Sequence, residues 1–101
     1  MLKLLKRLIG QDKAQLSGII QGRLLFDTVR ELEKFTRRFN LTGNVRVIRE
    51  SYAEFILEGA RAQLDRFLKE LPQCNAMKGK TMKVGWADYT GKHTNLRFSW
   101  E

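Results

Sequence analysis

The chain has 101 residues, and its 19 Lys and Arg against 11 Asp and Glu give a net charge of +8 and a pI near 10.1. That charge favours phosphate, nucleic acid or an acidic membrane surface without choosing among them. Its length excludes two independent cores, its 43% hydrophobic and 30% charged residues exclude a disordered chain, and no apolar run reaches the roughly 20 residues that span a bilayer.

The domain is expected over residues 14–101, behind a basic segment at 1–13. Met1–Ile9 interleaves Leu2, Leu4, Leu5, Leu8 and Ile9 with Lys3, Lys6 and Arg7, the pattern of a short amphipathic helix that Gly10 would stop. It reads either as a terminal helix resting on the domain or as an anchor to an anionic membrane or a partner groove. Gln15–Gln21 predicts a first strand, bounded by Gly22. A helix follows, capped by Asp27 or Thr28, with Val29, Leu32, Phe35 and Phe39 as its buried face. Residues 43–50 and 52–59 predict a hairpin with a tight turn at Glu50 and Ser51. Ala60–Leu71 predicts a second helix, with Ala60, Leu64, Phe67, Leu68 and Leu71 on one stripe, and Pro72 ends it. Between Lys80 and Glu101 two more strands flank a turn at Thr90, Gly91 and Lys92, forming a closing hairpin. There Leu96, Phe98 and Trp100 alternate with polar residues, and Trp86 and Trp100 read as sheet residues, one or both in the core.

The order is βαββαβ plus a closing strand. Two helices on one face of an antiparallel sheet make the ferredoxin-like α+β fold. Cys74 is the lone cysteine, so an internal disulfide and a Cys-based metal site are excluded, and a free thiol in a reducing cytoplasm is expected. His93 falls in the closing hairpin with no carboxylate or nucleophile placed beside it by any motif. No nucleotide-binding, zinc or hydrolase motif is present.

The stretch over 40–71, NLTGNVRVIRESYAEFILEGARAQLDRFLKEL, carries Gly43, Val45 and Gly59 at a spacing that resembles the central part of an acylphosphatase. The resemblance extends over roughly Ala14 to Glu101. It implies a ferredoxin-like fold, hydrolysis of carboxyl-phosphate bonds without a cofactor or metal, and a loop after the first strand whose amides and Arg cradle the phosphate. It also implies an Asn that orients the attacking water. Gln21 and Gly22 match the start of that loop, which is a few residues longer here than in the family. The Arg position is Phe26, or Val29 if the extra length precedes the helix, and the Asn position is Val47.

Acyl-phosphate hydrolysis needs positioned donors around the phosphoryl oxygens and an oriented water. Valine offers no polar side-chain atom, and Asn44, at an odd offset along a strand, faces the other way. Leu24, Leu25 and Phe26 crowd the backbone approach a phosphate requires. The sequence therefore reads as a catalytically degenerate acylphosphatase-like domain serving as a binding or interaction module. Gln21, Gly22, Arg23 and Arg30 are its candidate anion loop. The alternative is an active hydrolase in which Arg23 replaces the lost Arg. A third reading is non-specific nucleic-acid binding, with Lys78, Lys80, Lys83, Arg37 and Arg38 as contacts. RNA-recognition domains share the element order, but Tyr52 and Phe55 fall on opposite strand faces and Glu54 and Glu58 lie beside them, a poor base-stacking platform.

Overall fold

Alternation of apolar and polar residues builds the first strand, β1 (Lys13–Gln21), in which Ala14, Leu16 and Ile20 are buried. The computed structural model describes residues 12–101, so the helix expected over Met1–Ile9 lies outside the described residues. Helix α1 (Phe26–Arg37) follows, then β2 (Thr42–Ile48), β3 (Tyr52–Ala60), α2 (Arg61–Glu70), two single 3₁₀ turns, β4 (Thr81–Asp88) and β5 (Leu96–Trp100). The expected element order holds, and Pro72 falls in the 3₁₀ turn that ends α2.

Helix α1 is not capped by Asp27 or Thr28. It starts at Phe26, after an extended Leu25 that offers no side-chain cap, and Asp27 sits in its first turn, where a negative charge suits the helix dipole. Its buried face is Val29, Leu32 and Thr36, with Phe35 only partly buried. Thr36 can take that place because its hydroxyl donates to the Leu32 carbonyl at 2.7 Å, leaving no unmet polar atom. Phe39, beyond the helix end, is buried as expected. It joins Phe35, Phe55 and Phe67 in a cluster with ring centroids 5.1 to 6.2 Å apart.

The β2–β3 hairpin forms with its turn one residue earlier than expected. Arg49 and Glu50 both have left-handed backbones, at φ 52° and 59°, and the Ser51 N–H donates to the Ile48 carbonyl at 3.0 Å. Arg49 and Glu50 are the central residues of that turn, and their left-handed backbones give the twist that suits antiparallel strands, within a connection of three residues, since Ile48 pairs with Tyr52. Gly43, in β2, has φ 135°, and a Cβ there would stand 1.9 Å from the Ile56 carbonyl oxygen of β3. Only glycine fits.

The sheet order is β4-β1-β3-β2-β5, antiparallel except for the parallel pair β2–β5. The sheet is thus mixed, and the expected closing hairpin does not form: β4 and β5 occupy opposite edges. Leu96 and Phe98 pair in register with Gly43 and Val45 and face the same side as the core of β2, a covered position that a place beside β4 would not give them. Trp86 and Trp100 are 39% and 43% exposed, so neither belongs to the core. Each sits on an edge strand against a helix start, Trp86 under the Arg61 guanidinium at 3.7 Å and Trp100 stacked on Phe26 at 6.0 Å.

Residues 89–95 form a strap between the two edges. The steps from Asp88 to Leu96 reach about 26 Å when extended, against roughly 19 Å for four inter-strand spacings. The strap crosses the centre of the sheet at Glu58 of β3, a fully buried carboxylate. Glu58 Oε2 accepts from Thr90 N at 2.8 Å, Thr90 Oγ1 at 2.9 Å and Gln15 Nε2 at 2.9 Å, and Oε1 accepts from Gly91 N at 3.2 Å.

Candidate functional site

The loop joining β1 to α1 emerges at the end of the sheet that also carries the β2–β3 turn. Gly22 leaves β1 with φ 140°, and a Cβ there would lie 2.7 Å from Cγ of Lys80. Its N–H donates to the Ser51 carbonyl at 3.1 Å, and the Leu24 N–H donates to the Glu50 carbonyl at 2.9 Å. The hairpin thus occupies two amides of the loop. The Leu24 side chain is fully buried beneath them, anchoring the loop to the core as an apolar plug.

Arg23 is exposed and makes no hydrogen bond or ion pair with another side chain among the described residues. Arg30, one turn into α1, lies over the Phe26 ring at 5.8 Å from guanidinium carbon to centroid. Phe26 is 61% exposed and stacks at 23° on Trp100, whose cross-strand neighbour is Val47. Val47 is 1% exposed and sealed in the core. Asn44 lies on the opposite face beside Arg97. The structure therefore brings Gly22, Arg23 and Arg30 to one end of the molecule, and an exposed apolar group of Leu25, Phe26 and Trp100 lies there with them.

Sequence reading missed two parts of this arrangement. The Glu50 and Ser51 carbonyls that close the loop had no signature, because backbone acceptors carry none. The Phe26–Trp100 stack depends on β5 lying beside β2, whereas the closing hairpin expected from the sequence sets the last strand beside β4. The run Leu24-Leu25-Phe26 was the one legible sign of an apolar loop.

Electrostatics elsewhere are dominated by local pairs. A wider concavity along β5 is lined by Glu33, Arg37, Asn44, Arg46, Arg97 and Ser99, among others, but two of its arginines are engaged. Arg37 binds Glu33 at 2.8 Å and Arg46 binds Glu101 at 2.7 Å. The hydrogen bond to Glu101, and that carboxylate's charge, push the Arg46 guanidinium further up. Burial pushes the Glu58 carboxyl up, but the hydrogen bonds from Thr90, Gln15 and Gly91 outweigh it and hold the group below its ordinary value. Among the described residues, no group of three His, Cys, Asp or Glu is placed to hold a metal, and no helix is long and apolar enough to cross a membrane. His93 lies in the strap and not in a hairpin turn.

The architecture is that of the acylphosphatase-like, ferredoxin-like α+β class. The acylphosphatase from Bacillus subtilis superposes with a TM-score of 0.66 at 17% identity, over 84% of this chain and 97% of that one. Full-length HypF in its phosphate- and nucleotide-bound form matches with a TM-score of 0.65 at 15% identity, over 89% of this chain but 12% of that one. BlrB, a BLUF protein in its dark state, gives 0.65 at 14% identity, over 88% and 73% of the two chains. No family model and no curated protein matches the chain. Likeness at these identities establishes the fold and leaves the activity open.

Proposed function

We propose that this chain uses an acylphosphatase-like fold as a binding or interaction module and does not hydrolyse acyl phosphates. The observation that carries this reading is Leu24, fully buried beneath a loop whose Gly22 and Leu24 amides are bonded to the hairpin. A phosphate cradle needs those amides unpaired and pointing at the ligand. The sealed Val47 supports the same conclusion, since no water reaches it to be oriented. Each missing donor removes about 10²- to 10³-fold of rate by analogy with oxyanion-hole donors.

Arg23 and Arg30, beside Gln21 and Gly22, remain able to attract a small anion weakly at the surface. Lys83 stands on the open sheet face while Arg37 and Arg38 lie at the end of α1, so the basic residues weighed for nucleic acid form no continuous stripe and do not favour that reading. The space between the helices and the sheet is filled by core side chains, Phe55 and Phe67 among them. It leaves a cavity of about 20 Å³, room for a water and not for an organic ligand. Met1–Ile9 has the composition to add a membrane or protein contact, and sedimentation with anionic liposomes, with and without residues 1–10, tests that contribution.

The decisive experiment is hydrolysis of a simple acyl phosphate by the purified protein, with an Arg23→Ala control and a phosphate titration followed by NMR. Turnover at the uncatalysed rate, with at most weak shifts near Gly22, is expected. Turnover that disappears in Arg23→Ala would establish Arg23 as a relocated catalytic residue and refute the reading.

A further inference from the structure

The two edges of the sheet differ. Strand β5 is five residues long, and its side carries the Arg37–Glu33 and Arg46–Glu101 pairs. Strand β4 is eight residues long, keeps an unbroken register with β1 from Ala14↔Asp88 to Gln21↔Thr81, and contains neither proline nor bulge. All of its residues but Met82 are exposed. Val84 and Trp86, 42% and 39% exposed, point with Met82 toward the helix side but lie at the margin of what the helices cover. A long, regular, partly apolar edge is a template for another strand.

We propose that this edge is a self-association surface, and that a second copy of the chain pairs antiparallel to β4 about a two-fold axis at Val84, making one continuous sheet. A two-fold perpendicular to the sheet keeps each face with itself, so helix-side residues must meet helix-side residues. Two registers then use the strand fully, one centred on Val84 and one on Gly85. Centring on Gly85 sets Val84 against Trp86, but also Met82 against Asp88 and Lys83 against Ala87. Centring on Val84 sets Met82 against Trp86, Val84 against Val84, Lys80 against Asp88, and Lys83 against the side-chain-free Gly85.

On the helix-side face the register centred on Val84 joins apolar to apolar, and it sets Lys80, just before the strand, against Asp88 at its end. The Met82–Trp86 contact also gives thioether-on-aromatic packing, on a ring whose other neighbour is the Arg61 guanidinium. Neither Lys80 nor Asp88 forms an ion pair among the described residues, so both are available to the second copy. The contact is isologous, which closes at two copies and does not propagate. It needs no ligand and is independent of whether the β1–α1 loop binds an anion.

Sedimentation equilibrium of the full chain, from micromolar to sub-millimolar concentration, tests the proposal. The unmodified chain is expected to populate a dimer. Val84→Lys sets two ammonium groups against each other across the axis, about 5 Å apart at Cβ, and is expected to raise the dissociation constant at least about tenfold. Lys80→Asp weakens the dimer, and Lys80→Asp combined with Asp88→Lys restores it. Circular dichroism verifies that each variant folds; should Val84→Lys not fold, the charge exchange at positions 80 and 88 decides. A chain that stays monomeric throughout, a dimer indifferent to Val84→Lys, or a double exchange that fails to recover association overturns the proposal.

Discussion

Removing the Glu58 carboxylate tests how the strap is held. Three donors converge on Oε2 and one on Oε1. In Glu58→Gln the amide turns its NH₂ toward Gly91, because the other orientation would set it against three donors. One bond is then lost and three keep an acceptor that is neutral. With charge-assisted bonds worth about 1.5–3 kcal/mol and neutral ones about 0.5–1.5 kcal/mol, and with the burial cost of the charge relieved, the net loss is about 1–2 kcal/mol. Glu58→Ala removes all four acceptor contacts. Exposed Thr90 and Gly91 can turn to water, so the loss settles near 3 kcal/mol and not at the sum of four bonds.

The pH dependence follows from the same contacts. The folded pKa of Glu58 is lowered, so the unfolded chain binds the proton more readily and stability rises with pH across this titration. The contribution is fully present above the ordinary glutamate value of about 4.3 and is lost as the pH falls through the lower folded value. Urea unfolding measured from pH 7 down to pH 3, with hydrogen exchange at Thr90 and Gly91, reads both effects. The gap between the native chain and Glu58→Gln is expected to narrow in acid. Equal midpoints at pH 7, or a gap that stays constant into acid, would refute the account.

Three further outcomes are expected. Gly43→Ala would bring Cβ against the Ile56 carbonyl and cost about 3 kcal/mol or more, read as a fall in the urea midpoint. Replacing Arg49 and Glu50 by Asn and Gly, residues that adopt the left-handed backbone freely, stabilises the chain by about 1 kcal/mol and raises Tm. Val47→Asn, at a site 1% exposed, buries an amide without partners. It destabilises by about 2–3 kcal/mol without conferring acyl-phosphate hydrolysis, checked by urea titration beside the activity assay.

Local patterns disclosed most of the elements. The alternation in β2 and β3 marked the hairpin, and the stripe of Leu64 and Phe67 ended by Pro72 marked α2, because in each case the residues that pack together are near in sequence. The placement of β5 was hidden. Its alternation of Leu96, Phe98 and Trp100 fits any covered edge, and the preference for β2 over β4 arises from contacts with residues some fifty positions earlier. The same long-range pairing decided the exposure of Trp100 and the composition of the candidate site. The burial of Glu58 was hidden too, since nothing in its own strand announces that the strap will cover it. Gly43 and Gly59 carried the family resemblance, and the constraint on Gly43 is steric, a close approach of two strands. Such a residue reports the architecture and is silent on catalysis.

The strap also sets a limit on chain length. Surface connections usually tolerate insertion and deletion alike, but this one spans the full width of the sheet. Its slack is about two residues. An insertion would bulge outward with little effect, whereas deleting three residues would leave about 16 Å of reach for a crossing of roughly 19 Å. The C-terminal strand would then detach from β2, uncovering the Val47 side of the sheet and the Phe26 ring together. The shortest permissible version of this segment is thus fixed by the number of strands it must cross.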